Sequence, residues 1–186
     1  MLGVHGDQLY RLARGEDDRP VERTGILKSV GHEETFSRDI WNPNDLKREL
    51  LSLCERTATR LRRHGLMGRC VTLKVKYSDF VTVTRGRTSA SGMNNAMEMY
   101  REGISLLEKT EAGRKPVRLL GISLSLLEPE GSGQPDLFEE EKHRRLRALD
   151  RAVDGIRERF GEYGMQRGTL VKGPGSTGEE GSDAGQ

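Results

Sequence analysis

The stretch RCVTLKVKYSDF, residues 69–80, decides the fold. Apolar side chains alternate along it with polar ones, so that one set lies on each side: Val71, Leu73, Val75 and Tyr77 against Thr72, Lys74, Lys76 and Ser78. A period of two is typical of a β-strand that buries one face and leaves the other open. Asp79 is expected to turn the chain, and residues 81–85 are expected to return as the next strand.

Two helices are predicted around this hairpin. Before it, Asn42 can cap a helix that begins at Pro43 and ends at Gly65. The stripe of that helix is Leu46, Leu50, Leu53, Thr57 and Leu61. After the hairpin we expect a loop over 86–92 and then a second helix. Its stripe is Met93, Met97, Tyr100, Ile104 and Leu107.

Two outer strands complete the pattern, over 26–37 and 116–126, and the second has Leu120, Ile122 and Leu124 as its core face. The order from 26 to 127 is therefore β-α-β-β-α-β. This order predicts an α+β fold of the split βαβ kind, a four-stranded antiparallel sheet with both helices on one face. The other face is left open, and Lys74 and Lys76 are expected to lie on it.

Length and composition exclude several classes of protein. The chain has 186 residues, which excludes a (β/α)₈ barrel of about 250 residues. No run approaches the roughly 18 consecutive apolar residues of a membrane helix, and residues 1–7 do not form a secretory signal. The two cysteines, Cys54 and Cys70, cannot form a disulfide framework or a CxxC site. We therefore expect a cytoplasmic, reduced protein that does not bind a membrane.

The net charge of +2 is unevenly distributed. Residues 1–25 hold 4 Lys/Arg and 5 Asp/Glu, residues 26–127 hold 18 and 11, and residues 128–186 hold 9 and 13. A basic middle with an acidic C-terminal part indicates a polyanionic partner for the middle. The alternative is an ordinary solvated surface, because the excess of charge is moderate.

Five segments carry a resemblance to a known family: residues 9–21 (LYRLARGEDDRPV), 28–36 (KSVGHEETF), 68–80 (GRCVTLKVKYSDF), 82–85 (TVTR) and 116–122 (PVRLLGI). The first resembles the end of the thumb domain of Y-family DNA polymerases of the DNA polymerase IV type. The others resemble the little finger domain of those enzymes. Several segments that agree in order are more specific than one short motif.

The resemblance implies a little finger domain that holds template–primer DNA across its open sheet face during translesion synthesis. In that family the palm and fingers precede the thumb and carry the carboxylates that bind Mg²⁺. We therefore expect no cofactor and no polymerase activity in this chain alone, as a C-terminal fragment or a wrongly started reading frame. A non-catalytic adaptor that binds only DNA and clamp stays open, as does a free-standing nucleic-acid-binding module.

The residues themselves indicate no catalytic site. Asp17 and Asp18 are the only adjacent aspartates, but they lie in a segment typical of a linker. The histidines have no ligand-like spacing: His5, His32, His64 and His143. Cys54 falls on the apolar stripe of the first predicted helix and is expected to be a small core residue. No metal site is predicted.

The candidate DNA-binding residues form three groups. Arg85, Arg87 and Thr88 follow a strand and are expected to open a loop, where arginines suit bidentate contact with phosphate. Lys28, Ser29 and Gly31 form a second group, in which small residues let a phosphate approach the backbone. Lys74 and Lys76 form the third. All would contact the DNA backbone without base readout, which predicts affinity without sequence preference. The alternative for the arginines is a solvated pair.

Residues 134–138 (QPDLF) resemble the peptide by which bacterial polymerases dock on the sliding clamp. Gln134 would bond at the rim of the cleft, and Leu137 and Phe138 would be apolar anchors. Pro135 departs from the aliphatic residue expected there. The alternative is that Leu137 and Phe138 begin the following helix.

The chain is accordingly divided into five parts. Residues 1–25 are the end of the thumb and a linker, and 26–127 are the DNA-binding domain. Residues 128–141 are a linker with the clamp peptide, 142–165 are a helix, and 166–186 are expected to be disordered. The helix has a stripe with spacings of three and four: Leu146, Leu149, Val153, Ile156 and Phe160. The protein is expected to be a monomer.

Overall fold

The computed structural model describes residues 5–20, 27–132, 140–161 and 164–170. In chain order its elements are α1 (His5–Ala13), β1 (Ser29–Ile40), α2 (Pro43–Arg63), β2 (Leu66–Tyr77), β3 (Thr82–Met93), α3 (Ala96–Leu107), β4 (Val117–Pro129), α4 (Glu140–Phe160) and a 3₁₀ turn at Gly168–Leu170. In the described part of the chain, no helix is long and apolar enough to cross a membrane.

The four strands form one antiparallel sheet in the order β1-β4-β2-β3. β1 and β2 are joined through α2 and have β4 between them, whereas β3 and β4 are joined through α3 and have β2 between them. Both connections are therefore split βαβ crossovers. The predicted α+β fold is confirmed.

The core lies between one face of this sheet and α2 with α3. On β2 the side chains of Val71, Leu73, Val75 and Tyr77 are at most 1% exposed, as the alternation predicts. From β4, Leu120, Ile122 and Leu124 join them. Full burial of such a side chain stabilises the fold by about 1.5–3 kcal/mol relative to exposure. The opposite face has no helix over it among the described residues.

The limits of α2 agree with the sequence signals. The Asn42 side chain accepts a hydrogen bond of 2.9 Å from the backbone N–H of Asn44, and Pro43 is the first helical residue. Gly65 has φ of 61°, the left-handed conformation that commonly follows a helix end. These two signals set where α2 begins and ends.

The predicted loop over 86–92 is wrong, because β3 continues to Met93. Its backbone pairs with β2 from Thr82 to Thr88, where Thr88 is opposite Cys70, and again at Met93, which is opposite Gly68. Residues 89–92 form an irregularity between these two paired parts. The glycine, serine and threonine residues that indicate a loop are tolerated here, since β3 is an edge strand and most of it is exposed. Met93 accordingly belongs to the strand and not to the second helix.

The apolar stripe predicted for α3 is rotated relative to the buried face. The structure buries Ala96, Met99, Gly103, Leu106 and Leu107. A Cβ on Gly103 would lie 3.1 Å from Leu50 and 3.2 Å from Ile122, so α3 approaches the core most closely at its smallest residue. Met97, Tyr100 and Ile104 are consequently only half-buried.

α4 lies against α2 through charged groups. The Arg62 guanidinium donates to Asp154 at 2.6 and 2.8 Å, and Arg157 donates to Glu55 at 2.7 Å. Burial disfavours the charged form of Arg62, but its pKa is raised on balance by Asp154, Asp150 and Glu130. The apolar stripe of α4 is left largely outside, since Leu149, Ile156 and Phe160 are 54%, 37% and 67% exposed.

Candidate nucleic-acid interface

The open face of the sheet is lined by small side chains at its centre. Directly paired residues on neighbouring strands share a face. One row across the sheet therefore consists of Gly31, Ser123, Thr72 and Gly86, and the next of Ser29, Ser125, Cys70 and Thr88. These rows offer hydroxyl groups and bare backbone, so a large charged polymer can come close to the sheet.

Two glycines on this face have no room for a side chain. A Cβ on Gly31 would lie 2.5 Å from the Cβ of Ser123 and 2.6 Å from the carbonyl oxygen of Ile122. A Cβ on Gly121 would lie 2.8 Å from the Cβ of Glu33. The β1–β4 contact therefore requires glycine on both strands. The small-residue strand that the sequence predicts at Gly31 is present.

Lys74 lies on the open face, as predicted, but it has an acidic partner. Its Nζ donates to the Glu33 carboxylate at 2.9 Å, across Gly121 on the strand between them. Both side chains are about half exposed, at 41% and 54%. Such an exposed pair contributes about 0–1 kcal/mol, so a phosphate can compete with Glu33 for the lysine.

Sequence reasoning missed a basic cluster at the hairpin end of the sheet. Lys76 Nζ lies 4.8 Å and Arg118 Cζ 4.9 Å from the centre of the Phe80 ring. Phe80 is 61% exposed and has φ of 66°. On β2, Lys76 and Tyr77 are opposite Leu119 and Val117, so Arg118 is an extra, bulged residue. The exposed aromatic could be read from the sequence, but the bulge that aims Arg118 could not.

Arg85 and Arg87 lie inside β3, not in a loop, and on the helix side of the sheet. They pair with Leu73 and Val71, which face the core. The Arg85 Nε donates to the carbonyl of Lys109 at 3.3 Å, and Arg87 forms an ion pair with Glu102 at 3.1 Å. The structure therefore separates them from Lys74, Lys76 and Thr88 by the thickness of the edge strand.

The two cysteines occupy opposite environments. Hydrogen bonds from Thr88, then Ser125 and Thr72, lower the pKa of the Cys70 thiol despite partial burial. Burial, with a contribution from Glu55, raises the pKa of the Cys54 thiol. Cys70 is thus an accessible and acidified thiol on the open face, whereas Cys54 is a core residue, as expected.

Of the remaining candidate binding residues, one is exposed and the others lie outside the described part of the chain. Lys28 is exposed immediately before β1. The clamp-binding candidates Gln134, Leu137 and Phe138 lie outside the described residues, as does the segment 171–186 of the predicted disordered tail. Residues 166–170 of that tail are described, and Arg167 donates to Glu55 at 2.6 Å, so the predicted disorder does not begin at residue 166. Within the described ranges, no group of three or more His, Cys, Asp or Glu side chains is arranged to hold a metal ion. Asp17 is instead paired with Arg19, whose hydrogen bonds lower the pKa of Asp17 to about 2.

The part of the chain that forms the sheet, α2 and α3 coincides with the domain of a known protein family. The impB/mucB/samB family C-terminal domain matches residues 27–137. The chain belongs to this family. It is 43% identical to the DNA polymerase IV of Desulfatibacillum aliphaticivorans over 91% of this chain and 43% of that protein. It is 38% identical to that of Pelotomaculum thermopropionicum over 98% of this chain and 46% of that protein. The chain spans less than half the length of these relatives. The resemblance to the C-terminal part of DNA polymerase IV is confirmed.

Two solved structures have a distant likeness to the chain. The insertion ternary complex of Dbh DNA polymerase is 18% identical, with a TM-score of 0.48, over 63% of this chain and 33% of that one. The little finger domain of PolIV in complex with the beta-clamp processivity factor is 23% identical, with a TM-score of 0.44, over 59% of this chain and 97% of that one. The assignment rests on the family and on the sequence relatives.

Proposed function

We propose that this domain holds the backbone of template–primer DNA against its open sheet face. The observation that carries the proposal is the flat, hydroxyl-rich centre of that face, bordered by Lys74, Lys76 and Arg118, in a chain of the impB/mucB/samB C-terminal family. Lysine, arginine and hydroxyl groups suit phosphate oxygens, and backbone contacts carry no sequence information.

The arrangement of this face suits the positioning of a DNA duplex and not the catalysis of a reaction. In the described part of the chain this face offers hydroxyl and cationic donors in shallow rows, which would keep the duplex in register while another part of the protein reacts. The whole protein would perform template-directed DNA synthesis past lesions. The Mg²⁺ ions for that reaction would be bound by a palm domain and not by this chain.

Arg85, Arg87 and Lys28 remain candidates as contacts at the edges of the face. Arg85 donates to backbone carbonyls and Arg87 pairs with Glu102, and an exposed arginine can exchange such a partner for a phosphate at little cost. A duplex that overhangs β3 would reach Arg85 and Arg87 from the side, while Thr88 contacts it from the face. Ser29 and Gly31 would serve the opposite edge.

The test is the salt dependence of binding to a primer–template duplex. Each phosphate contact contributes about 0.9 to the slope of log K against log salt. We expect the slope to fall by about 2 for Lys74→Ala with Lys76→Ala, and likewise for Arg85→Ala with Arg87→Ala. The slope is a sharper readout than affinity, because Lys74→Ala also leaves Glu33 unpaired and repulsive.

Arg101→Ala with Arg114→Ala is the matched control, since both arginines are exposed and lie outside the strands, on α3 and in the turn that follows it. That control should leave the slope unchanged. Unchanged slopes in both test variants would contradict the proposed interface. A lower slope in the Arg85→Ala/Arg87→Ala variant alone would indicate that the DNA binds at the edge of β3 and not on the open face.

We further propose that residues 134–138 dock the chain on a sliding clamp, with Leu137 and Phe138 as anchors. The support is their position, directly after the last strand of the family domain, and the pairing of two large apolar side chains within acidic sequence. The solved PolIV little finger is described as a complex with the beta-clamp, which makes the same partner reasonable here.

A peptide of residues 131–142 titrated against the clamp tests this claim. Truncation of either anchor to alanine should cost about 2 kcal/mol, and Gln134→Ala about 1 kcal/mol. DNA binding by the same variants of the whole chain should be unaffected. Absence of peptide binding, together with a lower melting temperature of the Leu137→Ala/Phe138→Ala chain, would show that these residues pack into the chain instead.

A further inference from the structure

The free edge of β1 borders a groove that the proposed function does not use. β1 is at the end of the sheet, so its backbone pairs only with β4. α2 lies over the helix side of this edge, and the space between them is a groove of about 1480 Å³. Along the regular part of the strand, from Ser29 to Thr35, every second residue directs its N–H and C=O away from β4.

Positive charge predominates in the groove. Six arginines and three glutamates line it. Within the described ranges, the Arg38, Arg60 and Arg63 side chains have no hydrogen-bond or ion-pair partner. Two of the three glutamates are already engaged: Glu55 accepts from Arg157 and Arg167, and Glu34 lies 3.4 Å from Arg56. The groove therefore has a surplus of unpaired guanidinium groups.

The backbone of the edge distinguishes between two kinds of polyanion. A nucleic acid offers phosphate oxygens, which accept hydrogen bonds but cannot satisfy the outward carbonyls of β1. An extended peptide offers N–H and C=O groups alternately and can satisfy both kinds. In such a strand successive side chains point to opposite faces, so one face of it would lie beneath α2.

We propose that an extended acidic peptide of a partner protein adds to the sheet as a fifth strand beside β1. Its carboxylates would pair with Arg38, Arg60 and Arg63, and its backbone would pair with the edge of β1. The carboxylates of the peptide would be on the helix side of the sheet, whereas the face proposed for DNA is on the opposite side. The inference goes beyond the proposed function and does not depend on it.

A synthetic probe tests both halves of the proposal. The probe is a fluorescent ten-residue peptide of alternating valine and glutamate, which places all its glutamates on one face of a strand. It should bind the full chain. A peptide with lysine for glutamate should bind about tenfold more weakly or not at all, because its charge is reversed. A peptide with proline at two valine positions should also lose binding, because proline cannot donate to a strand ladder.

Charge reversal on α2 tests the arginines. Arg60→Glu with Arg63→Glu should weaken the valine–glutamate probe by about tenfold. The control is Arg101→Glu with Arg114→Glu, which changes the net charge equally outside the groove and should change affinity by less than about twofold. Circular dichroism melting of both variants establishes that they are folded. Equal weakening by the two variants would contradict the site.

Hydrogen exchange tests the strand pairing. Binding of the probe should slow exchange of outward-facing amides of β1 between residues 29 and 35. Probe binding without this protection would contradict the fifth strand. Protection already present in the unliganded chain would mean that another part of this chain occupies the edge, which also contradicts it. Binding of oligothymidylate in the groove, lost in the Arg60→Glu/Arg63→Glu variant, with no binding of the probe, would assign the groove to nucleic acid.

Discussion

Gly31 and Gly86 occupy the same row of the open face, but only Gly31 is crowded. The nearest atoms to a Cβ on Gly86 are 3.6 Å away, which is ordinary contact, whereas a Cβ on Gly31 would overlap Ser123 and the backbone of Ile122. We expect Gly31→Ala to lower the free energy of unfolding by about 1–3 kcal/mol, because β1 and β4 must separate.

Gly86→Ala is the matched control and should change stability by less than about 0.5 kcal/mol. Urea unfolding followed by circular dichroism measures both. Equal stability of the two variants would mean that the close contact between β1 and β4 is not required.

At the level of single residues, the face of a side chain could be predicted only where apolar residues mark the pattern. The alternation in β2 assigns Lys74 and Lys76 to the open face because Leu73 and Val75 must be buried. In β3, Val83 is the only large apolar residue of the segment 82–92, so nothing in the sequence indicates the side taken by Arg85 and Arg87. The partner of Lys74 could not be predicted either, because it depends on register across β4.

Among the elements, α2 and α3 both begin at asparagine caps, but only one cap has a second role. Among the described residues, the Asn42 side chain bonds only to the backbone N–H of Asn44, from which it accepts. Asn95 accepts from the N–H groups of Met97 and Glu98 and also donates to the buried Asp150 of α4 at 2.7 Å.

We expect Asn42→Ala to lower the free energy of unfolding by about 1 kcal/mol. Asn95→Ala should lower it by about 2–3 kcal/mol, because it also removes a partner of a buried carboxylate. Denaturant unfolding measures both values. A cost of Asn95→Ala no larger than that of Asn42→Ala would show that the contact with α4 contributes nothing.

The order of the elements could be predicted from the sequence, whereas the length of β3 and the orientation of α3 could not. The caps, the glycine ends and the period of two in β2 are local signals, and they place the helices and central strands correctly. The length of β3 depends on pairing with β2, which is not local. The orientation of α3 about its axis depends on the close approach of Gly103 to the core. This approach buries the side of the helix that carries Met99 and Gly103, and it leaves Tyr100 and Ile104 half-buried.

For the whole molecule, the structure shows where on the surface the basic residues lie. Part of the basic excess in 26–127 lies on two surfaces, one on the open face and one in the groove beside β1, whereas Arg85 and Arg87 lie on neither. The composition indicates a polyanionic partner but cannot divide the charge between two sites. That division depends on strand order, which places β1 at one edge and the hairpin of β2 and β3 at the other.

The central claim, that DNA lies on the open face, is tested most directly by the reactivity of Cys70. Its thiol has a lowered pKa, so a larger fraction is thiolate at neutral pH than in an ordinary cysteine, and N-ethylmaleimide should modify it readily. Cys54 is fully buried with a raised pKa and should react only after unfolding, which provides an internal reference. The Cys70→Ser variant establishes which thiol reacts.

The measurement is the rate of modification, by intact mass, with and without a saturating primer–template duplex. Because the duplex would cover the row of Ser125, Cys70 and Thr88 and impose a negative potential on the thiolate, we expect the rate at Cys70 to fall by about tenfold or more. An unchanged rate at Cys70 while the chain is saturated with DNA would place the DNA elsewhere and contradict the account.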